Sequence, residues 1–483
     1  MELKRLSEIY AITPDPEAGA ECDQKYPGYY THWCRFMVTL PHIPLDCIAI
    51  VHGPQGCVGN QKDFLGTYWC QYHGSSFFYA PTTNMDQTDA ILGAEDKLRT
   101  VIKEVDELYK PRMIFILVTC PAGIIQEPVD DVARDMEDKV QAERIIVIKC
   151  EGYTSYAAGL YNIYEGRLLA NELLQNPEKK IPRSVNILGI SKETHYPSDY
   201  LEDSLELERL LNKLGITVNS VLYQTATVDS WTRATEAEFN TMVCPQRAMP
   251  LATDMFDRWG IPHGQRFNPL GVTPITNWIM EVAEFFEIEE QAEELVKEEY
   301  TRIKEDWEEA RRLVDGKIVL IDGGDPMTAV GRGIAWGRMC ADLGMRPILF
   351  NLPPIEIKAK IHHTIFAIQE GFDPEVVYHD YAYHRRFSPM RVIEELDLNP
   401  EDIGLYMGDV YPTAVAKEWQ APVFDPANFP RIVTTSHCNK NRGSTGRRSG
   451  FTGAGRTARD IINAVHMAER KSVPTLYGRI GGL

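Results

Sequence analysis

The sequence lacks several features that would each assign the protein to a broad functional class. No apolar run approaches the roughly 18 residues that span a bilayer, and the first residues, MELKRLSEIY, contain no signal-peptide core. We therefore expect a cytoplasmic protein that does not enter a membrane. No GxxxxGK(S/T) motif is present, so we expect no nucleotide site in this chain. Basic residues are also few, because 50 Lys and Arg stand against 69 Asp and Glu. The net charge of −19 disfavours nucleic acid as a partner.

The chain has 483 residues, 44% of them hydrophobic, which is enough for several cores and predicts more than one domain. It contains ten cysteines. In a reducing compartment such cysteines are thiols or metal ligands rather than disulfides.

Short apolar runs alternate with segments of helical periodicity, which is typical of βαβ units with parallel sheets. The predicted strands are CIAIVHG, RMIFILVTC, RIIVIKC, SVNILGIS, ITVNSVLY, KIVLIDGG and RPILF. We predict an α/β protein with three doubly wound, Rossmann-like domains and mainly parallel sheets. The predicted domains are residues 1–180, 181–314 and 315–483. A charged, solvated helix over 283–313 is expected to bridge the second and third domains.

Three cysteines indicate a metal cluster. Cys34, Cys57 in the segment HGPQGC, and Cys120 in the segment CPAG each lie at a predicted strand end or in the adjoining loop. Glycine-rich loops there supply backbone N–H groups that stabilise cluster sulfides. Three thiolates cannot fill the four positions of a cubane, so another chain or a non-cysteine group must complete the site. The remaining cysteines that follow apolar runs are predicted to be small buried side chains: Cys47, Cys70, Cys150 and Cys340.

Two further segments could hold a cofactor. Cys244 follows a short apolar segment and precedes a predicted helix, whose N-terminus would stabilise a thiolate. Near the C-terminus a predicted strand runs into the polar loop that contains His437 and Cys438. Arg447 belongs to a basic cluster in that loop, which could offset the charge of an anionic cofactor or could be a surface patch.

From about residue 30 to 465 the chain resembles the nitrogenase component 1 family, on the cysteine triad and on the segments DAILG, CEGY, GIP, IDGG and GFTG. The resemblance implies that Cys34, Cys57 and Cys120 hold half of a P-cluster-like 8Fe–7S or 4Fe–4S cluster. A homologous β-type (K) subunit would hold the other half, in a heterotetramer of two α-type and two β-type subunits. The cysteine at position 244 resembles the α-type subunit, which implies an iron–sulfur cofactor between Cys244 and His437, with Cys438 as a rival to His437.

The departures from the family are also informative. Where nitrogenases carry a glutamine and a histidine beside the cofactor, this chain has Ala158 and Asn162. Leu65 stands where nitrogenases carry an arginine. Pro326 lies in the segment where they carry a second arginine. This remodelled pocket resembles the nitrogenase-like methylthio-alkane reductases, which cleave C–S bonds of small organosulfur compounds and release methanethiol and a hydrocarbon.

The same resemblance implies an ATP-dependent iron–sulfur reductase (H) protein as electron donor. C–S cleavage also needs a proton donor, for which Tyr161, His362, His363 and the cofactor-facing His437 are candidates, although two solvated histidines at 362–363 are an ordinary alternative. Three other functions remain open: a cofactor-assembly scaffold, a nitrogenase α-subunit that reduces dinitrogen, and a tetrapyrrole reductase, against which Cys244 argues.

Overall fold

The structure is a computed structural model that describes most of the chain. The described residues are 1–13, 43–57, 81–151, 169–190, 200–223, 226–323, 329–352, 354–359, 361–378, 387–407, 423–424 and 449–469.

The first sheet contains three parallel strands in the order β2-β3-β4. Its strands are β2 (Ile48–His52), β3 (Met113–Val118) and β4 (Arg144–Lys149). The helices between them are α2 (Asp89–Leu92), α3 (Glu95–Tyr109), α4 (Cys120–Ile124) and α5 (Val129–Glu137). β2 and β3 are buried along their whole length, because helices of a parallel sheet cover both faces.

Residues 89–109 show helical periodicity throughout, which favours one continuous helix, but the structure divides this segment at Gly93. Gly93 has a φ of +89°, a conformation that ends a helix and that L side chains rarely adopt.

The second sheet has the order β6-β5-β7, again with parallel strands. These strands are β5 (Ser184–Ile190), β6 (Thr217–Tyr223) and β7 (Phe239–Met242). The associated helices are α6 (Tyr200–Lys213), α7 (Val228–Thr232) and α8 (Pro245–Trp259), which follows β7 directly.

The third sheet has six strands in the order β1-β10-β9-β8-β11-β12. They are β1 (Glu2–Arg5), β8 (Ile318–Asp322), β9 (Arg346–Phe350), β10 (Glu375–Tyr378), β11 (Ile403–Met407) and β12 (Val423–Phe424). β1 pairs antiparallel with β10, and the other pairs are parallel. The pairing of β1 with β10 joins the first residues of the sequence to a strand more than 360 residues later, and no local pattern predicted it.

Helices connect and cover the sheets. Besides those above, they are α1 (Leu6–Ile12), α9 (Val272–Phe285), α10 (Glu289–Val314), α11 (Ala329–Asp342), α12 (Pro354–Ala359), α13 (Ile361–Gln369), α14 (Pro389–Glu395) and α15 (Gly450–Glu469).

The prediction of a single solvated helix over 283–313 was wrong in two respects. Residues up to Phe285 belong to α9, and α10 begins at Glu289. One face of α10 is buried, including Ile303 and Trp307. A Cβ on Gly455 of α15 would lie 2.7 Å from Ile303, so the two helices approach each other closely. The charged residues of α10 thus cover only its other face.

One apolar cluster includes residues of all three sheets, among them Val51, Ile187 and Val319. The C-terminal ends of the parallel strands, where candidate site residues follow, therefore belong to one packed body. None of the helices in the described parts is long and apolar enough to cross a membrane.

Candidate functional site

Cys57 and Cys120 lie beyond the C-terminal ends of two adjacent strands, β2 and β3. Cys120 is the first residue of α4, and the Cys57 N–H donates to Pro54 O at 3.0 Å. Burial raises the pKa of the Cys57 thiol, and charge repulsion from Cys120 adds to this, while a hydrogen bond with Thr119 opposes it. The two thiols are therefore close enough to interact electrostatically. Cation binding would relieve this repulsion, which suits a pair of metal ligands.

Gly53 allows the two strand ends to approach. A Cβ at Gly53 would lie 2.0 Å from Thr119 Oγ1, a distance that no side chain tolerates. The Thr119 hydroxyl donates to His52 O at 2.8 Å, and the Thr119 N–H donates to the same oxygen at 3.1 Å. Any larger residue at position 53 would separate the loops that carry Cys57 and Cys120.

A buried polar group beneath these loops was not predicted from the sequence. The Gly53 N–H donates to Thr83 Oγ1 at 3.0 Å, so the Thr83 hydroxyl proton can be donated to His52 Nδ1, 3.1 Å away. His52 Nε2 then carries the hydrogen that meets Glu127. Burial lowers the pKa of His52, and the charge of Glu127 opposes this. The signal in the sequence was the histidine that begins HGPQGC, but its partner Glu127 is 75 residues away.

Cys244 lies at the second sheet, between β7 and α8, as the N-cap residue of α8. Its side chain is 1% exposed. Gly189, with a φ of +77°, packs against its backbone, since a Cβ there would lie 2.6 Å from Cys244 O and 3.0 Å from Cys244 N. The N–H of Val243 donates to Leu188 O at 2.8 Å. The backbone at Cys244 is therefore fixed by β5 as well as by α8.

The structure brings Cys244 together with His363 of α13. Cys244 Sγ and His363 Nε2 are 3.5 Å apart, although the two residues are 119 positions apart in the chain. His363 is 3% exposed. A buried thiol and an imidazole form a soft donor pair of the kind that iron and zinc bind. The sequence named both residues but did not place them together.

A neighbouring aromatic residue orients His363. The Phe267 ring lies edge-on to the imidazole, with centroids 6.0 Å apart and an interplanar angle of 66°. The Arg338 guanidinium lies 4.7 Å from the Phe267 centroid, and its Nη1 donates to Phe267 O at 3.1 Å. Arg338 is in turn paired with Glu370. These contacts restrict the rotation of the imidazole.

His362, a predicted proton donor, precedes His363 on α13 and is half-buried. Its ring lies 6.1 Å from that of Phe366. Burial lowers the pKa of His362, and the nearby His263 lowers it further. The alternative interpretation, two solvated histidines at 362–363, is wrong for His363, because that side chain is buried.

Several predicted site residues lie outside the described residues: Cys34, Tyr161, His437, Cys438 and Arg447. The same holds for Cys70, Leu65, Ala158, Asn162 and Pro326. Within the described ranges, no three or more His, Cys, Asp or Glu side chains are grouped so as to hold a metal ion. Each predicted metal site includes a residue outside those ranges, Cys34 in one and His437 in the other.

Three cysteines predicted to be small buried side chains are confirmed as buried: Cys47, Cys150 and Cys340. Burial raises the pKa of the Cys47 and Cys340 thiols, which keeps them protonated and unreactive.

Comparison with known proteins gives a consistent result. A family model described as nitrogenase component 1 type oxidoreductase matches residues 44–466. The nitrogenase molybdenum-iron protein alpha chain of Methanosarcina barkeri is 29% identical over 362 residues, which cover 71% of this chain and 64% of that protein. The nitrogenase iron-molybdenum cofactor biosynthesis protein NifE of Methanococcus maripaludis is 29% identical over 339 residues, which cover 67% of this chain and 66% of that protein. The chain thus matches just under two thirds of the length of these relatives.

A solved structure described as nitrogenase Cp1 at pH 5 has a TM-score of 0.66 and 19% sequence identity, over 92% of this chain and 89% of that one. This similarity confirms the predicted α/β fold with mainly parallel sheets.

Proposed function

Because the chain belongs to the nitrogenase component 1 type oxidoreductase family, we propose that it is the catalytic subunit of a nitrogenase-like reductase. Its proposed reaction is the reductive cleavage of C–S bonds in small methylthio-alkanes. The observation that carries the proposal of a cofactor-bearing subunit is the buried Cys244 thiol, which lies 3.5 Å from His363 Nε2. A thiol held in this way, at a helix N-terminus and out of solvent, fits one end of an iron–sulfur cofactor.

The ligands are proposed as follows. Cys244 holds one end of the cofactor, and His437, with Cys438 as alternative, holds the other, while Arg447 offsets its negative charge. Cys57 and Cys120, together with Cys34, hold an 8Fe–7S or 4Fe–4S cluster shared with a homologous β-type subunit in a heterotetramer. The support is the electrostatic interaction of the Cys57 and Cys120 thiols at adjacent strand ends. When bound, the metal groups would supply electrons at low potential, delivered by an ATP-dependent iron–sulfur reductase.

The proposed reaction consumes two electrons and two protons for each C–S bond that is cleaved. The C–S bond breaks, one hydrogen is added to carbon and one to sulfur, and the products are a hydrocarbon and methanethiol. His362, Tyr161 and His437 are the proposed sources of these protons. The lowered pKa of His362 makes it a neutral imidazole near pH 7, which can accept a proton on one ring nitrogen and release one from the other.

The substrate proposal rests on sequence. Leu65 and Asn162 stand where the resemblance to nitrogenases implies an arginine and a histidine, so the chain lacks the two basic side chains that the resemblance implies for dinitrogen reduction.

We also propose the domain boundaries 1–180, 181–314 and 315–483 for this subunit. Their support is that each of the three sheets draws its strands from one of these segments, except for β1, which joins the third sheet.

A cofactor-assembly scaffold is the second candidate. A specific observation favours it, since several relatives of similar identity are NifE proteins of cofactor biosynthesis. Such a protein would bind the cofactor at Cys244 and pass it on without turnover. A nitrogenase α-subunit is the third candidate, favoured by the relative from Methanosarcina barkeri.

Two experiments test these proposals on the anaerobically purified complex. The first is iron analysis of the wild type and of Cys244→Ala, with Cys340→Ala as a matched control at a buried cysteine outside the proposed site. We expect the wild type to hold more iron than one shared cluster requires, and Cys244→Ala to lose the excess but keep the spectroscopic signal of the shared cluster. Iron for the shared cluster alone in the wild type would contradict the cofactor proposal.

The second experiment is a product assay with the reductase partner and ATP. Ethane from ethyl methyl sulfide and methane from dimethyl sulfide are expected, each with an equimolar amount of methanethiol. Ammonia as the main product would support the nitrogenase alternative. A cofactor-loaded complex without turnover of either substrate, which transfers its iron to an apo-enzyme, would support the scaffold.

A further inference from the structure

The contact between Cys244 and His363 is a hydrogen bond, at the proposed metal-binding sulfur, that no pattern in the sequence predicted. Sγ and Nε2 are 3.5 Å apart, within the range of N–H···S and S–H···N hydrogen bonds. The side chains are 1% and 3% exposed, so water does not compete for either group.

The identity of the donor follows from the state of the sulfur. A cysteine bound to iron is a thiolate and carries no proton. A hydrogen bond between a bound Cys244 and His363 must then use a hydrogen on Nε2, with the sulfur as acceptor. In the cofactor-free protein the thiol can instead donate to Nε2, so the same geometry serves both states.

Both partners are held in place before any cofactor binds. Gly189 fixes the backbone of Cys244, since even a methyl group there would overlap Cys244 O and N. The edge-on Phe267 ring fixes the imidazole plane, and Arg338 fixes Phe267 through its guanidinium and through the bond to Phe267 O. A donor that is oriented in advance loses little entropy when it forms its hydrogen bond.

We propose that His363 is a positioning residue that donates an N–H···S hydrogen bond to Cys244 when this sulfur binds the cofactor, and that this bond raises the reduction potential of the cofactor. The inference rests on the proposed function, because it requires a metal group at Cys244. Its physical basis is that a hydrogen bond to a ligating sulfur withdraws negative charge and so stabilises the reduced state.

The test compares three variants of the purified complex. His363→Phe keeps an aromatic ring but has no hydrogen-bond donor. His363→Leu also lacks a donor, and its side chain is smaller than phenylalanine. His363→Gln restores an amide N–H near the position of Nε2. The measurements are iron content, thermal midpoint and the midpoint potential of the cofactor from electron paramagnetic resonance during redox titration. We expect a more negative potential for the Phe and Leu variants and a potential near that of the wild type for Gln.

The outcomes separate this inference from the proposed function. Loss of the cofactor iron from His363→Phe and His363→Leu, but not from His363→Gln, also supports the hydrogen bond. An unchanged midpoint potential in iron-replete His363→Phe or His363→Leu overturns the inference. An equal shift of the potential, or an equal loss of iron, in all three variants also overturns it, because packing alone would explain that result. If His363→Phe does not fold, the comparison of His363→Leu with His363→Gln tests the same point. A wild type without iron at Cys244 contradicts the proposed function itself, before any variant is measured.

Discussion

Replacement of Gly189 by Ala is expected to destabilise the part of the protein that holds Cys244. Gly189 lies in β5 and has a φ of +77°, in the left-handed region. A Cβ there would lie 2.6 Å from Cys244 O and 3.0 Å from Cys244 N, both backbone atoms that cannot rotate away. Ala248 Cβ closes the third side at 3.3 Å. The methyl group therefore requires a shift of β5 or of the start of α8.

The expected cost has two parts. The left-handed conformation costs a non-glycine residue about 1–2 kcal/mol, and insertion of a methyl group into a packed region costs about 1–3 kcal/mol. Together they predict a loss of about 2–5 kcal/mol. Gly215 provides a matched control, since it has a φ of +69° and its Cβ would meet no atom within 4 Å. Gly215→Ala should therefore show only the first part.

The assay is thermal unfolding of the two variants and the wild type under identical conditions. In a cooperative unit of about 150–250 residues, each kcal/mol lowers the midpoint by about 2–4 °C. Gly189→Ala should consequently unfold about 2–12 °C below Gly215→Ala. Equal midpoints for the two variants would refute the close packing of β5 against Cys244, and with it the argument that the thiol is fixed in advance.

Three other substitutions test ionic and capping interactions. Burial raises the pKa of Glu299, but hydrogen bonds from Arg209 and Lys213 lower it to about 2. Glu299→Gln should thus cost on the order of 1–3 kcal/mol near pH 7, and the difference from wild type should shrink as the pH falls from the unfolded carboxyl pKa towards 2 in thermal scans. Asp342→Ala removes the acceptor of two N–H groups at the start of α9, 2.8 Å away, and should lower stability by about 1–2 kcal/mol in urea titrations. Glu127→Ala removes the partner of buried His52 and should cost about 1–3 kcal/mol in calorimetry.

Each of these variants has an exposed control of the same type: Glu305→Gln, Asp257→Ala and Glu104→Ala, respectively. The sign of the pH effect is fixed by the lowered pKa of Glu299, whose stabilisation exists only while the carboxylate is ionised. A Glu299→Gln deficit that grows on acidification would contradict this assignment. For the other two, a loss no larger than that of the exposed control would show that the carboxylate of Asp342 or Glu127 contributes nothing to stability.

The sequence allowed much of the fold to be predicted, because the signals are local. Strands such as β3 and β5 are continuous apolar runs, and their type follows from residues adjacent in the chain. The helix break at Gly93 and the start of α10 at Glu289 were missed, since helical periodicity continues across both positions while the backbone does not.

The candidate site was predicted only in part. Cys57, Cys120 and Cys244 could be selected from their places after apolar strands, where parallel sheets gather their ligands. The partnership of Cys244 with His363 could not, because it depends on how α8 and α13 pack, and no spacing along the chain encodes that distance.

The amino-acid sequence by itself determined the family, the alternation of strands and helices, and the positions of the cysteines at strand ends. Only the tertiary structure decided that β1 completes the third sheet, that Glu127 forms a hydrogen bond with His52, and that His363 contacts Cys244. The physical reason is that secondary structure follows from the periodicity of neighbouring residues, whereas these contacts join segments from 75 to more than 360 residues apart and form only when the sheets and helices pack against one another.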